Sequence, residues 1–269
     1  KHFPDRYYQM GIAEANMMGV ASGMAKTGDI VFAHTFSAFT NRRALDQIAM
    51  QIAYPKAKVI ILGFLPGIAT NLGVSHQAIE DIACFRSLPN MNIFEPYHET
   101  QLLPVIEMAL NSSNPAYIRM KRFDKMYTDL DKTIQIGEPQ ILKEGSAVVI
   151  FACGMTVDIA LEAASEINDK YNHKISVVNV FCLKPINEKS FAEIINNHKH
   201  IISIENHNVI GGLGSILSDI IATKGLNAQL TKLGVQDTFA EGAETDYLFK
   251  KYEISSEAII KIYKNLKKK

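Results

Sequence analysis

The chain of 269 residues has few of the features that would assign it to a simple functional class. Lys and Arg together number 28, as do Asp and Glu, so no excess of positive charge points to nucleic acid or a membrane surface. No apolar run is long enough to cross a bilayer, and no signal peptide is recognisable. The three cysteines are odd in number and widely spaced, which predicts buried or half-buried free thiols in a reducing cytoplasm.

Several common active-site motifs are also missing. The chain has no Gly-Xaa4-Gly-Lys-Ser/Thr phosphate loop, no His-Glu-Xaa2-His zinc motif and no Gly-Xaa-Ser-Xaa-Gly nucleophile motif. The Gly-Gly-Leu-Gly segment at Gly211–Gly214 lacks the spacing of a dinucleotide fingerprint, and we interpret it as a tight turn against which a helix packs closely. The aspartates show no spacing typical of a metal site.

Strand-like and helix-like patterns alternate along the chain. Short apolar runs predict strands at 30–33, 58–63, 92–95, 116–120, 147–152, 175–180, 200–205 and 228–233. Helical spacing predicts helices at 12–26, 42–54, 76–87, 99–111, 156–170, 187–197, 211–223 and 255–266, the last with Ser255 as its N-cap. This order predicts an α/β protein of two consecutive parallel-sheet domains.

We place the first domain at 1–122, a polar linker at 123–145 and the second domain at 146–269. Because the chain starts at Lys1 and reaches a core helix almost at once, we expect an N-terminal part of the first domain to be missing.

One acidic residue stands out in the first predicted helix. The segment Met10–Gly28 is almost entirely small or apolar, and Glu14 is the only charged residue between Arg6 and Lys26. Burying a carboxylate without a partner costs several kcal/mol, so Glu14 needs a partner. Either it interacts with the helix N-terminus while half exposed, or it holds a proton that another group needs.

Aromatic and imidazole side chains lie near the same predicted sheet edge. Two long loops, 34–41 and 64–75, each follow a strand, and ligands bind at the carboxyl ends of parallel strands. Phe36 and Phe39 lie on the first loop, and His76 opens a predicted helix after the second. Each of these residues alone is more often structural than functional. Their shared location with Glu14 predicts one ligand site.

The same segments, in the same order, resemble the transketolase family of thiamine-diphosphate enzymes. Gly11–Gly19 resembles the family's catalytic helix, Thr35–Phe39 its aromatic loop and Ser75–Asp81 its Thr/Ser-His-Gln segment. Further similar segments are Leu88–Met91, Glu95–Pro96, Ile204–His207 and Gly211–Gly212. The resemblance runs from about Pro4 to the end, and is greatest to the separate C-terminal subunits of split transketolases.

This resemblance implies roles for particular residues. Glu14 would bond to N1′ of the aminopyrimidine ring of thiamine diphosphate and share a proton with it. Phe39 would stack on that ring with Phe36 beside it, and Ile12 would support the bent shape of the cofactor. His76 would face the substrate and assist its hydroxyl protons.

The resemblance also implies a reaction and a partner. The family moves a two-carbon ketol group from a ketose to an aldose. It anchors the diphosphate and a Mg²⁺ or Ca²⁺ ion through a Gly-Asp-Gly segment, which occurs nowhere in this chain. We therefore expect an N-terminal transketolase subunit to carry the diphosphate and metal site. The active site would lie across the interface, in a heterotetramer of two of each chain.

Some positions depart from the family pattern. Asn71, which we assign to substrate binding, and Leu72 stand where split transketolases carry Glu-Asp, and Leu72 cannot accept a hydrogen bond from a sugar hydroxyl. Phe64 stands where single-chain members carry a histidine that helps to hold the sugar phosphate. Arg122 is the candidate phosphate-binding residue, although Arg119 and Lys121 lie close enough to blur the alignment. We therefore expect the donor or acceptor to differ from the ordinary pentose phosphates, for example by being a modified sugar.

Two alternatives stay open. The chain could belong to another thiamine-diphosphate enzyme, either of the deoxyxylulose-phosphate synthase type or as the β subunit of a 2-oxoacid dehydrogenase. The Ser-His-Gln and Leu-Pro-Asn-Met segments favour a transketolase. It could also be a non-catalytic regulatory subunit that has kept the fold, which the retention of Glu14, Phe39 and His76 argues against.

Overall fold

The computed structural model describes residues 2–121 and 134–267. It contains two five-stranded sheets in which most neighbouring strands are parallel, with helices packed against them, so the predicted α/β class is confirmed. The three cysteines are free, with Cys84 half-buried and Cys153 and Cys182 buried, as predicted. Within the described ranges, no helix combines the length and apolar character needed to cross a membrane.

The first sheet has the strand order β1-β2-β4-β3-β8. Its strands are β1 (Val31–Phe36), β2 (Val59–Phe64), β3 (Asn92–Phe94), β4 (Ala116–Met120) and β8 (Cys182–Lys184). The helices of this half are α1 (Glu14–Lys26), α2 (Ser37–Arg42), α3 (Leu45–Gln47), α4 (Asp81–Ser87) and α5 (Leu102–Asn111), with a π-helical turn at Ile48–Ala53 and 3-10 turns at Pro4–Arg6 and Glu99–Gln101. β2 is apolar and mostly buried, as expected for a parallel strand covered on both faces.

The second sheet has the order β10-β9-β6-β7-β5. Its strands are β5 (Gln140–Lys143), β6 (Val148–Ala152), β7 (Ser176–Asn179), β9 (His200–Asn208) and β10 (Gln229–Val235). The helices are α6 (Thr156–Tyr171), α7 (Glu188–Asn196), α8 (Leu213–Thr223), α9 (Thr245–Lys251) and α10 (Ser256–Leu266). The hydroxyl of Ser255 accepts a hydrogen bond from the backbone N–H of Ala258 at 3.3 Å, which confirms this residue as the N-cap of α10.

The structure differs from the sequence prediction in three short elements. β5, β8 and α9 have no predicted counterpart, since three to seven residues are too few to show a clear period. β8 follows β7 in the chain but pairs antiparallel with β3, so the second half completes the first sheet. β5 also pairs antiparallel, with β7, and both sheets are therefore mixed and not purely parallel.

Two predicted helices begin or continue differently. The predicted helix at 42–54 is divided into α2, α3 and the π-helical turn, and α2 already starts at Ser37, directly after β1. Phe36 is therefore the last residue of β1 and Phe39 lies on α2, so neither lies on the predicted loop. The predicted helix at 76–87 starts only at Asp81, and His76 lies in a turn before it.

The glycine-rich segment after β9 is a structural turn, as predicted. Gly211 has a φ of +81°, and a Cβ on Gly212 would lie 1.8 Å from a carboxylate oxygen of Glu205. That carboxylate accepts hydrogen bonds from the first backbone N–H groups of α8, those of Leu213 at 2.7 Å and Gly214 at 2.8 Å. Burial raises the pKa of Glu205 to about 7, although these two bonds oppose the rise. The glycines thus let the helix N-terminus close over a buried carboxyl group.

A fully buried arginine joins the two halves of the chain. The guanidinium of Arg119 donates hydrogen bonds to Asp81 at 2.9 Å and to Glu95 at 2.6 Å. All three side chains are buried from solvent. A further bond of 3.1 Å runs to the backbone carbonyl of Asn206, which lies in β9 of the second half. Arg119 is therefore held in the core and is not available to bind a substrate phosphate, which removes one of the two alternatives to Arg122 and leaves Lys121.

The side chain of Asn206 extends this connection to the loop after β2. It accepts a hydrogen bond from the backbone N–H of Ile68 at 2.9 Å and donates to the carbonyl of Pro66 at 3.0 Å. Gly67 lies so close that a Cβ there would be 2.2 Å from Asn206. The root of this loop is thus positioned by the second half of the chain.

We expect Arg119→Met to lower the free energy of unfolding by about 3–5 kcal/mol, because it leaves two buried carboxylates without their cation. Urea unfolding followed by circular dichroism would measure this loss. Lys189→Met is the matched control, since Lys189 is 85% exposed in an ion pair with Glu193 and its removal should change stability little. Equal stabilities of the two variants would contradict the proposed importance of the buried network.

Candidate active site

Glu14 is the first residue of α1 and is buried, with 8% of its surface exposed. Gly11 before it has a φ of +66° and Ala13 is not helical, so the chain turns into the helix at Glu14. The carboxylate is therefore near the helix N-terminus, where a negative charge is favoured. It is not half exposed, however, and its side-chain partner is Arg43, whose Nη1 lies 3.2 and 3.3 Å from the two carboxylate oxygens.

Arg43 links Glu14 to the predicted stacking residue. Phe39 and Arg43 are four residues apart at the end of α2 and so lie on one face. The guanidinium carbon of Arg43 is 3.8 Å from the centroid of the Phe39 ring, which is a close cation–π contact. The carboxylate, the cation and the aromatic ring thus form one continuous unit.

Three rings complete this cluster. The Phe36 and Phe39 centroids are 5.5 Å apart, and the imidazole of His76 lies 5.4 Å from Phe36 and 5.0 Å from Phe39. All three contacts are edge-to-face, the geometry that aromatic quadrupoles favour. The imidazole Nδ1 is also 2.9 Å from the hydroxyl of Ser75. The structure therefore brings Glu14, Phe36, Phe39 and His76 together, as the sequence predicted.

A cleft of about 960 Å³ is lined by Glu14, by the turn at Gly11 and by residues 31–35 of β1, and Glu14 is the one member of this cluster that lines it. The exposed apolar residues on its walls are Phe3, Tyr7, Tyr8, Val20, Ile30 and Phe32. Ile12 lies at the start of α1 with 91% of its surface exposed. Glu14 thus faces a wide opening whose rim is apolar.

Other predicted residues lie outside the cluster. Asn71 and Leu72 are exposed in the loop after β2, and the Phe64 ring packs 5.3 Å from that of His34. Arg122 lies outside the described residues. In the ranges 2–121 and 134–267, no group of three or more His, Cys, Asp or Glu residues is arranged to hold a metal ion.

The sequence analysis did not identify Arg42 and Arg43. The available signal was two consecutive arginines immediately after the aromatic segment, with the second four residues from Phe39. At helical spacing this pattern predicts a cation over the ring. The sequence analysis missed this spacing because it placed Phe39 on a loop, where helical spacing has no meaning.

Comparisons with known proteins agree with this fold and its two halves. The family model described as "Transketolase, pyrimidine binding domain" matches residues 1–125, and "Transketolase, C-terminal domain" matches residues 137–259. The chain is 38% identical to a protein described as a transketolase C-terminal section from Methanocaldococcus jannaschii, covering 100% of this chain and 85% of that protein.

It is 35% identical to the 6-deoxy-6-sulfo-D-fructose transketolase subunit of Clostridium sp. strain MSTE9, covering 97% of this chain and 81% of the relative. Among solved structures, a split-gene transketolase described as an inactive β4 tetramer superposes with a TM-score of 0.87 at 36% identity, covering 96% of this chain and 83% of that one. These similarities show that the chain consists of a domain of the pyrimidine-binding type followed by a C-terminal domain, both of the α/β class. The chain belongs to the transketolase family, whose enzymes depend on thiamine diphosphate.

We expect a double-mutant cycle of Glu14→Gln and Arg43→Met to give a coupling of about 1 kcal/mol in the free energy of unfolding. The coupling should be no larger, because 47% of the Arg43 side chain is exposed and solvent screens the pair. Urea unfolding of the four proteins measures it. Glu14→Gln combined with Lys170→Met, which concerns a separate surface ion pair, should be additive. An additive result for Glu14 and Arg43 would show that their contact carries no energy.

Proposed function

We propose that this chain is the pyrimidine-binding subunit of a split transketolase, which transfers a two-carbon ketol group from a ketose to an aldose. The observation that carries the proposal is the cluster of a buried glutamate, two phenylalanine rings and an imidazole, in which the glutamate lines an open cleft. Family membership supports the reaction class.

The residues of the cluster fit the aminopyrimidine half of thiamine diphosphate. A ring nitrogen that gains a proton needs an acidic partner kept away from water, and Glu14 is a buried residue that lines the cleft. A flat heteroaromatic ring needs an aromatic neighbour, which Phe39 and Phe36 supply. The surface of the cleft is part apolar and part polar, as a ligand of this kind requires.

The proposal assigns a separate role to each side chain of the cluster. When bound, the cofactor supplies a carbon nucleophile that takes up and releases the two-carbon unit. Glu14 holds a proton at N1′, and Phe39 orients the pyrimidine ring. His76, 5.0 Å from the Phe39 ring, exchanges protons with the substrate hydroxyl. Arg43 keeps Glu14 and Phe39 in fixed relation to each other.

The diphosphate and its Mg²⁺ or Ca²⁺ ion are assigned to a partner chain. The Gly-Asp-Gly segment that the family uses for them does not occur in the sequence. The apolar rim around the Glu14 cleft is suited to such a partner, since large exposed apolar surfaces commonly mark interfaces. We propose an N-terminal transketolase subunit as this partner, in a heterotetramer with two copies of each chain.

We infer that the sugar substrate is not the common pentose phosphate. Leu72 is 53% exposed in the loop that ends at His76, and it offers no hydrogen bond to a sugar hydroxyl. The Clostridium relative is named for a sulfonated sugar, which supports a modified sugar as a substrate class.

The chain alone should bind thiamine diphosphate too weakly to detect by calorimetry in the presence of Mg²⁺. In this proposal its residues contact only the aminopyrimidine half of the cofactor, and the partner chain binds the diphosphate. Addition of a partner chain that contains Gly-Asp-Gly should produce saturable binding. The partner alone is the control, and it should bind less tightly than the complex. Tight binding to this chain by itself would contradict a site divided between two chains.

Glu14→Gln should reduce ketol transfer by the reconstituted complex at least about 10²-fold, because an amide cannot share the proton at N1′. Steady-state assays with a ketose donor and an aldose acceptor measure this, and gel filtration verifies that the complex still forms. Glu166→Gln, a change in a surface pair with Lys170, is the control and should keep full activity. Unchanged activity of Glu14→Gln would favour a non-catalytic subunit.

A further inference from the structure

Arg42 binds the segment that carries His76, and we propose that it is a positioning residue for the substrate side of the site. We call residues 70–77 the His76 segment. It lies between β2 and α4 and includes Asn71 and His76, the two described residues assigned to substrate binding. This inference rests on the proposed function and adds to it a residue that fixes the imidazole.

The guanidinium of Arg42 makes contacts in three directions. Its Nη1 donates to the carbonyl of Val74 at 2.6 Å, and its Nη2 donates to the carbonyl of Gln77 at 2.9 Å. It also forms a two-point ion pair with Glu80 through Nε and Nη2. The two carbonyls are on either side of His76, so the arginine holds the backbone from which the imidazole projects.

Arg42 also ties this segment to the aromatic cluster. It is the last residue of α2, the helix that carries Phe39. Within the segment, the N–H groups of His76 and Gln77 both donate to the carbonyl of Gly73, at 3.0 and 3.1 Å. The turn is therefore held internally by Gly73 and externally by Arg42, and the distance between the His76 and Phe39 rings depends on both.

The opposite side of the segment rests on the second half of the chain. Nε2 of Gln77 donates to the backbone carbonyl of Glu241 at 3.0 Å. Gly242 approaches so closely that a Cβ there would lie 2.9 Å from the carbonyl oxygen of Asn71. The His76 segment is thus enclosed between Arg42 and the turn at 241–242.

Lysine could not replace this arrangement. An arginine presents several donors in a fixed plane and can reach two carbonyls and a carboxylate at once, whereas a lysine offers one point charge. Arg42→Lys would keep an ion pair with Glu80 but lose the simultaneous contacts to Val74 and Gln77. Comparison of lysine and methionine variants therefore separates the carbonyl contacts from the ion pair.

The test uses the complex of this chain with its diphosphate-binding partner, with hydroxypyruvate as ketol donor and glycolaldehyde as acceptor. We expect Arg42→Met and Arg42→Lys to lower kcat/KM for hydroxypyruvate by about tenfold or more, while the thiamine-diphosphate concentration for half activation changes less than about twofold. Hydrogen exchange of the full chain, read by mass spectrometry, should become faster in peptides covering 70–77 and not in α1 or α2.

Arg86→Met is the matched control. Arg86 is 23% exposed against 29% for Arg42, and it also bonds a carbonyl and a carboxylate, those of Gly211 and Asp219. It should alter neither kcat/KM nor exchange at 70–77. Gly242→Ala approaches the same segment from the other side and should reproduce the kinetic effect of Arg42→Met without touching the arginine.

The possible outcomes are distinguishable. An active wild-type complex with normal kcat/KM in Arg42→Met, or with a parallel loss of cofactor affinity, would overturn the inference alone. Wild-type behaviour of Arg42→Lys would show that the ion pair suffices and would also overturn it. A wild-type complex without ketol transfer would overturn the proposed function, and this inference with it.

Discussion

The buried guanidinium of Arg119 connects the parts of the molecule on which the candidate site depends. It forms ion pairs with Asp81 at the start of α4 and with Glu95 after β3, and it donates a hydrogen bond to the backbone of β9 in the other half. A buried charge tolerates little displacement, since each ion must keep its partners to offset desolvation. The network therefore sets the relation between α4, the first sheet and β9, and α4 begins directly after the turn that carries His76.

The candidate site is assembled from segments that are far apart in sequence. Glu14 comes from the start of α1, Phe39 from α2, Arg43 from the residue that caps the end of α2, and His76 from the turn before α4. Parallel pairing of β1 with β2 brings Phe36 level with Phe64, so the segments that follow these two strands meet at one sheet edge. The two consecutive arginines contact different parts of the site. Arg43 pairs with the carboxylate of Glu14, and Arg42 donates hydrogen bonds to the His76 segment.

The first half is not a separate unit. β8 pairs with β3, Asn206 holds the loop after β2, and the turn at 241–242 contacts the His76 segment. These contacts run from the C-terminal half to the loops of the candidate site. They give a physical reason why a pyrimidine-binding domain and a C-terminal domain occur together in one chain, since the second holds in place the loop between β2 and α4 of the first.

Local patterns in the sequence were sufficient for the α/β class, most strands, the N-cap at Ser255, the turn at Gly211 and the proximity of Glu14, Phe36, Phe39 and His76. These follow from apolar periodicity, from residue chemistry and from ordered motifs, all of which are local. Tertiary structure alone decided the partner of Glu14, the burial of Arg119, the start of α2 at Ser37 and the pairing of β8 with β3. Such features depend on which distant groups meet in the folded chain, because a guanidinium or a three-residue strand has no pattern that names its neighbour.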